Sequence, residues 1–387
     1  MPGYISSNEN RFYVCAETSY NQTPPFAGSN RIPAVSLKAQ RSIDVRSRKD
    51  KTGSRTYFGT PSGSRARTTY GLTTYMTRWG DTSRPPAYGC LFEAALGGAG
   101  VVFPGASGTR ASAASLTFTH PHGLCPGQAV ASAAEIRFVS AVANQTSVIL
   151  NAPFSVTGDL ALIPTVSYRP ATKLKSFSLL DCWSPDTAVQ RVVAGAGVDR
   201  LRIAVHSDYQ EFEFTGDAAD LIDSSSFTAG QSGLAQFPPE PADAGFDSTI
   251  VPGHLGQAWI GASPNQVLTL TSAEIRLDNS LDLRANEFGA TTPRDVGAGE
   301  RNVGLDFTIF AQDDAGTEAM YQAARSGSPV SVLFQLGEQA GEMCGVYMPA
   351  VVLETPEFDD AETRLQWRFR NARAQGLVDD ELFIAFA

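Results

Sequence analysis

Charge is scarce in this chain. Asp, Glu, Lys and Arg make up only 18% of its 387 residues, and the formal balance is −10. A general nucleic-acid coat is excluded, because phosphate binding needs a basic footprint. Cysteine is also sparse: Cys15, Cys90, Cys125, Cys182 and Cys344 are odd in number, widely scattered and without CxxC spacing. They read as reduced thiols of a cytosolic protein, not as a disulfide framework. The opening MPGYISSNENRF has neither the charged start nor the apolar run of a signal peptide. The apolar stretch near Ala94 to Ala106 is short and broken by glycines and Pro104, so no membrane span is expected.

Chemical motifs are equally thin. Of the four histidines, His120 and His122 share a strand face near Cys125, but no second Cys or acidic ligand has matching spacing. GASGTR and GAGVDR lack the GxxxxGK[ST] order of a phosphate cradle, and no GxSxG is present. The carboxylates of GDAAD and HSDYQEFE suit a solvated strand face better than a glycosidase pair. No catalytic, cofactor-binding or metal residue is assigned, and no enzyme is expected.

What is abundant is turn-forming and β-forming sequence. With 42% hydrophobic residues, 35 Gly and 23 Pro, the composition predicts an all-β protein with short flanking helices and partner-covered surfaces. Residues 1–32 are polar and read as an N-terminal arm. From Pro33, Val35, Leu37, Ile43 and Val45 alternate as strands do; ARTTYGLTTYMTRW then resumes the β pattern. PPAYGCLFEAALGG predicts a short helix that Gly97 and Gly98 end. The second half repeats that order: QVLTLTSAEIRLDNSLDLRANEF, a turn-rich connection, NVGLDFTIFAQ, then a helix in DDAGTEAMYQAARSG that Gly327 closes. Similar strand runs follow both helices. The expected division is a first domain over 33–98 and 172–222, a small inserted β module over 99–171, a linker over 223–265, and a second domain over 266–387.

YGCLFEAALGG, EIRLDNSL, GERNVGLDFTIFAQDDAGTEAMYQAARSG and the terminal PAVVLETPEFDDAETRLQWRFRNAR resemble the tail tube proteins of long-tailed, siphovirus-like bacteriophages. The likeness is to longer members with two tube domains per chain. The resemblance implies tandem β-sandwich domains, each flanked by a helix, whose strands close with neighbouring subunits into a β-barrel-lined ring. Rings stack into a hollow conduit for genome delivery. Partners are then further copies of the chain, as a trimer with pseudo-sixfold symmetry in preference to a hexamer, and other tail proteins at the tube ends. DNA passes through the lumen without specific binding, and no membrane is involved. The location is the virion tail, after assembly in the host cytoplasm.

Charge is unevenly distributed. The loop between Arg46 and Arg67 is basic, with Arg46, Arg48, Lys49, Lys51, Arg55, Arg65 and Arg67 around Tyr57 and Phe58. Acidic residues gather at Asp208 and Glu211, and again at Asp359 and Asp360. A flexible basic loop meeting acidic ends of the next ring would fix polarity and register. The alternative function is a tail or baseplate adhesin whose inserted β module binds a host-surface glycan. A β-rich glycan-cleaving enzyme is a third reading.

Overall fold

The computed structural model describes residues 3–387 apart from 48, 49, 57, 58, 111, 113, 186, 206, 207, 243, 244, 263, 264 and 286, with backbone alone described for 44–47 and 59–65. Among the described residues the chain is all-β with two short α-helices. Its first part contains β1 (Arg11–Ala16), β2 (Arg31–Ile32), β3 (Ala34–Ser47), β4 (Gly59–Tyr75) and α1 (Gly89–Leu96). After β5 (Val101–Phe103) come β6 (Ala106–Arg110), β7 (Ser115–Phe118), β8 (Ala129–Ser132), β9 (Glu135–Asn144), β10 (Ser147–Leu150) and β11 (Gly158–Ile163). The chain continues with β12 (Thr165–Tyr168), β13 (Phe177–Cys182), β14 (Arg191–Ala196), β15 (Arg200–Val205), β16 (Glu211–Ala218) and β17 (Asp220–Asp223). Next are β18 (Gly256–Gly261), β19 (Asn265–Gln266), β20 (Leu270–Asp278), β21 (Asp282–Leu283), β22 (Val296–Gly297), β23 (Asn302–Phe310) and α2 (Ala315–Ser326). The last strands are β24 (Val330–Leu336), β25 (Cys344–Val352), β26 (Glu357–Asp359), β27 (Gln366–Ala374) and β28 (Phe383–Phe386).

Among the described residues these strands form a five-stranded sheet in the order β17-β14-β13-β1-β2 and a 15-stranded sheet. The large sheet runs β19-β18-β24-β25-β27-β23-β20-β15-β16-β4-β3, with β5, β12, β26 and β28 attached beside that path. Alternation decides its two faces. Phe212 and Phe214 on β16, Leu201 and Ile203 on β15, and Ile275 and Leu277 on β20 are buried, while the residues between them face outward. The buried set joins Phe12, Val14, Phe177 and Leu179 of the smaller sheet in one core, which makes a β-sandwich.

Both helices form where the sequence predicts them. α1 is apolar nearly all round, and Leu91, Phe92, Ala94, Ala95 and Leu96 are buried. Phe92 meets the rings of Phe212, Phe214 and Phe386 at 5.0, 5.4 and 5.1 Å. Gly97 ends it at φ 89, where a Cβ would lie 2.4 Å from the Lys173 carbonyl. α2 starts at Asp314, whose carboxylate accepts the Thr317 amide hydrogen at 2.8 Å, and ends at Gly327 with φ 64.

Several segments differ from the reading above. The supposed arm supplies β1, whose Phe12, Tyr13 and Val14 are buried. It pairs with β13 on one side and β2 on the other. The aromatic and β-branched run RFYVCA carries that signal, and polar neighbours obscure it. The span 223–265 is not a free tether. Phe227, Leu234 and Phe237 cover the apolar outer face of the small sheet, Glu240 bonds Arg11 and Tyr13, and β18 pairs along β24.

Within 99–171, β6 to β11 close into a six-stranded barrel, while β5 and β12 pair with each other beside β28. The barrel has its own apolar centre, including Leu116, Val130, Val148 and Phe154. A second apolar contact welds it to the large sheet, where Ile136 and Phe138 pack on Leu333, Met343, Tyr347 and Phe383. At this junction Arg137 is fully buried; it donates to Glu135 at 2.6 Å and Gln257 at 3.2 Å, and lies over the Trp259 ring. Desolvation drives its pKa down to about 10 against the opposing pull of Glu135.

Candidate assembly surfaces

The supposed basic loop is largely a β-hairpin. β4 is 17 residues long, roughly 55 Å at the usual rise per residue. Only its second part, Thr68 to Tyr75, pairs with β16, so the rest of the hairpin projects past the sheet. Gly- and Ser-rich sequence conceals these strands, because a projecting two-stranded ribbon needs backbone pairing but little apolar packing. Arg46 and Arg65 lie on the paired strands, and Lys51 and Arg55 are exposed in the connection. Arg48, Lys49, Tyr57 and Phe58 lie outside the described residues. Arg67 sits at the hairpin's base, and its Nε and Nη2 donate to the two carboxylate oxygens of Asp217, each at 3.1 Å. That pairing raises its pKa. Arg41 on the opposite strand meets Asp220 at 3.2 Å. These two pairs anchor the hairpin within its own chain.

The acidic residues gather at the other end. Glu211 opens β16 opposite Tyr75, the far end of β4 from the tip, and Asp208 precedes it in the β15–β16 turn. Asp359 and Asp360 begin the β26–β27 turn, and Gln366 beyond that turn pairs with Phe310, where β23 ends. Asp359 bonds Arg368 across the turn. Asp208, Glu211 and Asp360 have no ion pair among the described residues. The two acidic turns therefore share one end of the sheet, and the basic hairpin marks the other. The β20–β23 connection joins the hairpin end, since the Ala66 amide donates to the Thr291 carbonyl at 3.4 Å.

Between these ends the outward face of the sheet carries a ladder that no local motif announces. Register places Arg202 opposite Arg276, and Glu274 opposite Asp306. Like charges directly opposite are unfavourable, but diagonal neighbours are within reach of long side chains. Arg202 bonds Glu274 at 2.6 Å and Glu213 at 3.4 Å, and the hydrogen bond to Glu274 raises its pKa. Arg276 bonds Asp306 and, at 3.3 Å, Glu274. Arg200 bonds Asp278 at 3.1 Å. The face is hollowed by two adjoining troughs of about 720 and 700 Å³ that share Arg202, Arg276 and Asp306.

Among the described residues the two edges of this strand set carry no further strand. β3, among the described residues, has β4 on one side only, and Val35 and Ile43 are 47% and 45% exposed. At the other edge Phe358 stacks on Trp367 at 5.3 Å yet remains 56% exposed. Open apolar edges of this kind invite pairing with another chain.

The His122 ring accepts the Leu124 amide hydrogen at 2.8 Å and contacts the Asn144 carbonyl at 3.0 Å. Among the described residues no three His, Cys, Asp or Glu side chains group as a metal site, and no helix is long and apolar enough to cross a membrane.

Among the described residues the chain is an all-β sandwich with two short helices, paired charges on a hollowed face and exposed strand edges. Residues 7–363 match the family described as phage tail tube protein, and the chain belongs to that family. Membership gives it a structural role in the tail tube and implies location in the virion tail. No curated protein matches the chain.

Proposed function

We propose that three copies of this chain close into a ring with pseudo-sixfold symmetry, and that rings stack head to tail into the conduit of a long-tailed phage. The carrying observation is a repeated strand order. In the first half β3-β4-β16-β15 lie side by side; in the second, β20-β23-β27-β26 do the same. One helix follows β4 and one follows β23. β15 joins β20 through six residue pairs, which merges the sets into one sheet. The same junction, repeated between the β26 edge of one copy and β3 of the next, closes the ring and removes both open edges.

On this reading the tube domains are 33–98 with 172–222, and 266–387; 223–265 straps them together. The hollowed polar face lines the lumen, through which DNA travels without specific binding. The acidic turns at one axial end receive the basic hairpin of the adjacent ring. Assembly takes place in the host cytoplasm, other tail proteins close the tube ends, and no catalysis is involved. The inserted barrel stands outside the lumen. As a glycan-binding adhesin it would lack an aromatic platform, because residues 106–163 contain no Tyr or Trp and Phe118, Phe138 and Phe154 are buried. Image averages of isolated rings, with subunit counting by native mass spectrometry, test the proposal. Three chains per ring are expected; six would overturn the two-domain reading.

A further inference from the structure

We infer that the carboxylates of the hollowed face are built-in counter-ions, which mask an arginine ladder that would otherwise hold the phosphate backbone of duplex DNA. This rests on the reading of that face as the lumen wall. Arginine is an unexpected lining for a DNA duct, since each guanidinium that meets a phosphate releases a counter-ion and adds affinity. Arg200, Arg202, Arg276, Arg368 and Arg370 nevertheless line the two troughs, and each is ion-paired across or along strands. A guanidinium already satisfied by a carboxylate gains little from a passing phosphate, which must displace an equivalent oxygen donor set and releases no bound anion.

Part of the register points to masking beyond sheet stabilisation. Arg202 faces Glu213 and Arg200 faces Asp278 directly, but the strands also place Arg202 against Arg276 and Glu274 against Asp306, like against like. The diagonal arrangement instead lets Glu274 bridge both arginines, so neither presents an unshared guanidinium to the trough. Arg373, in the same trough, is the exception among the described residues, with no ion pair. A single such group gives only weak, salt-sensitive contact.

The test uses unassembled full-length protein, in which the face is open whether or not it lines a lumen. Fluorescence anisotropy with a labelled duplex compares the wild type, E213Q/E274Q/D306N, and the control E9Q/E318Q/E338Q, which has the same gain in net charge at exposed sites. The expected result is at least tenfold tighter binding by the first variant alone. That binding should weaken about tenfold between roughly 50 and 200 mM salt, as two released arginines require. Circular dichroism checks folding, and E213Q/E274Q serves if the triple variant does not fold. Equal binding by variant and control, or no gain over the wild type, overturns the inference. Tube formation scored separately by microscopy shows whether the lumen reading itself has failed.

Discussion

Ile203 of β15 lies directly opposite Ile275 of β20, both buried, on the seam where the two halves of the chain enter one sheet. The seam is a strand pairing between segments more than fifty residues apart in sequence, and nothing in either segment alone specifies it. Asn279 secures it from the side, donating to the carbonyls of Ala95 at 2.8 Å and Val198 at 2.9 Å. The seam is also the pattern for the contact proposed between chains.

If that pattern holds, charge on the β3 edge should block closure without harming the fold. Val35→Lys with Ile43→Lys changes two side chains that are already about half exposed. Stability should move by roughly 0.5 kcal/mol or less. Light scattering is expected to show monomer where the wild type forms rings, and rings of normal mass from the variant would exclude β3 as a contact edge.

Axial polarity predicts a second outcome. Reversing Arg46, Arg48 and Lys49 to Glu should leave circular dichroism unchanged and stop tube growth. A single exposed pair contributes about 0–1 kcal/mol, but the contact repeats around each ring. High salt should weaken wild-type stacking by screening. Charge reversal at Asp208 and Asp360 to Lys should restore growth on rings of the first variant; growth of the first variant by itself at low salt would count against the hairpin contact.

The barrel allows a deletion at its own boundaries. Replacing 106–163 with a short Gly/Ser bridge keeps the pairing of Phe103 with Thr165 but uncovers Leu333, Met343, Tyr347 and Phe383. Tubes should still form by negative-stain microscopy, with the subunit several kcal/mol less stable to urea because those side chains meet water. Loss of tubes from a folded variant would assign the barrel to ring contacts.

The strap over the small sheet has a pH signature. Hydrogen bonding to Arg11, partly opposed by desolvation, holds the Glu240 carboxyl below its ordinary range. A depressed carboxylate stabilises the fold fully above its unfolded pKa, about 4.3, and loses that contribution as pH falls through the folded value. Glu240→Gln should therefore cost about 1 kcal/mol at neutral pH, with the gap to wild type shrinking below about pH 4. Urea midpoints at the two pH values measure it, and a gap independent of pH would remove the ionic explanation.

Local signals were legible where the physics is local. Asp314 and Gly327 bracket α2 in sequence as they do in space, and Gly97 closes α1 for the same steric reason. The alternation of EIRL and of GLDFTIF likewise marks one buried and one outward face. The strand RFYVCA carried such a signal too, but its place inside a sheet depends on β13, which follows more than 150 residues later. The β3–β4 ribbon was hidden for the opposite reason: its distal strands are held by backbone bonds, so Gly and Ser are tolerated where a packed strand would require apolar side chains.

The charged ladder separates the two levels most clearly. Sequence alone determined an all-β chain, two capped helices, a basic segment near the start and acidic clusters later on, because composition, period and capping act over a few residues. Tertiary structure decided that Arg202 meets Glu274, 72 positions away, that Arg67 is held by Asp217 of its own chain, and that the acidic turns share one end of the sheet. Those relations follow from strand register, which is fixed only when the buried faces of distant segments pack against one another.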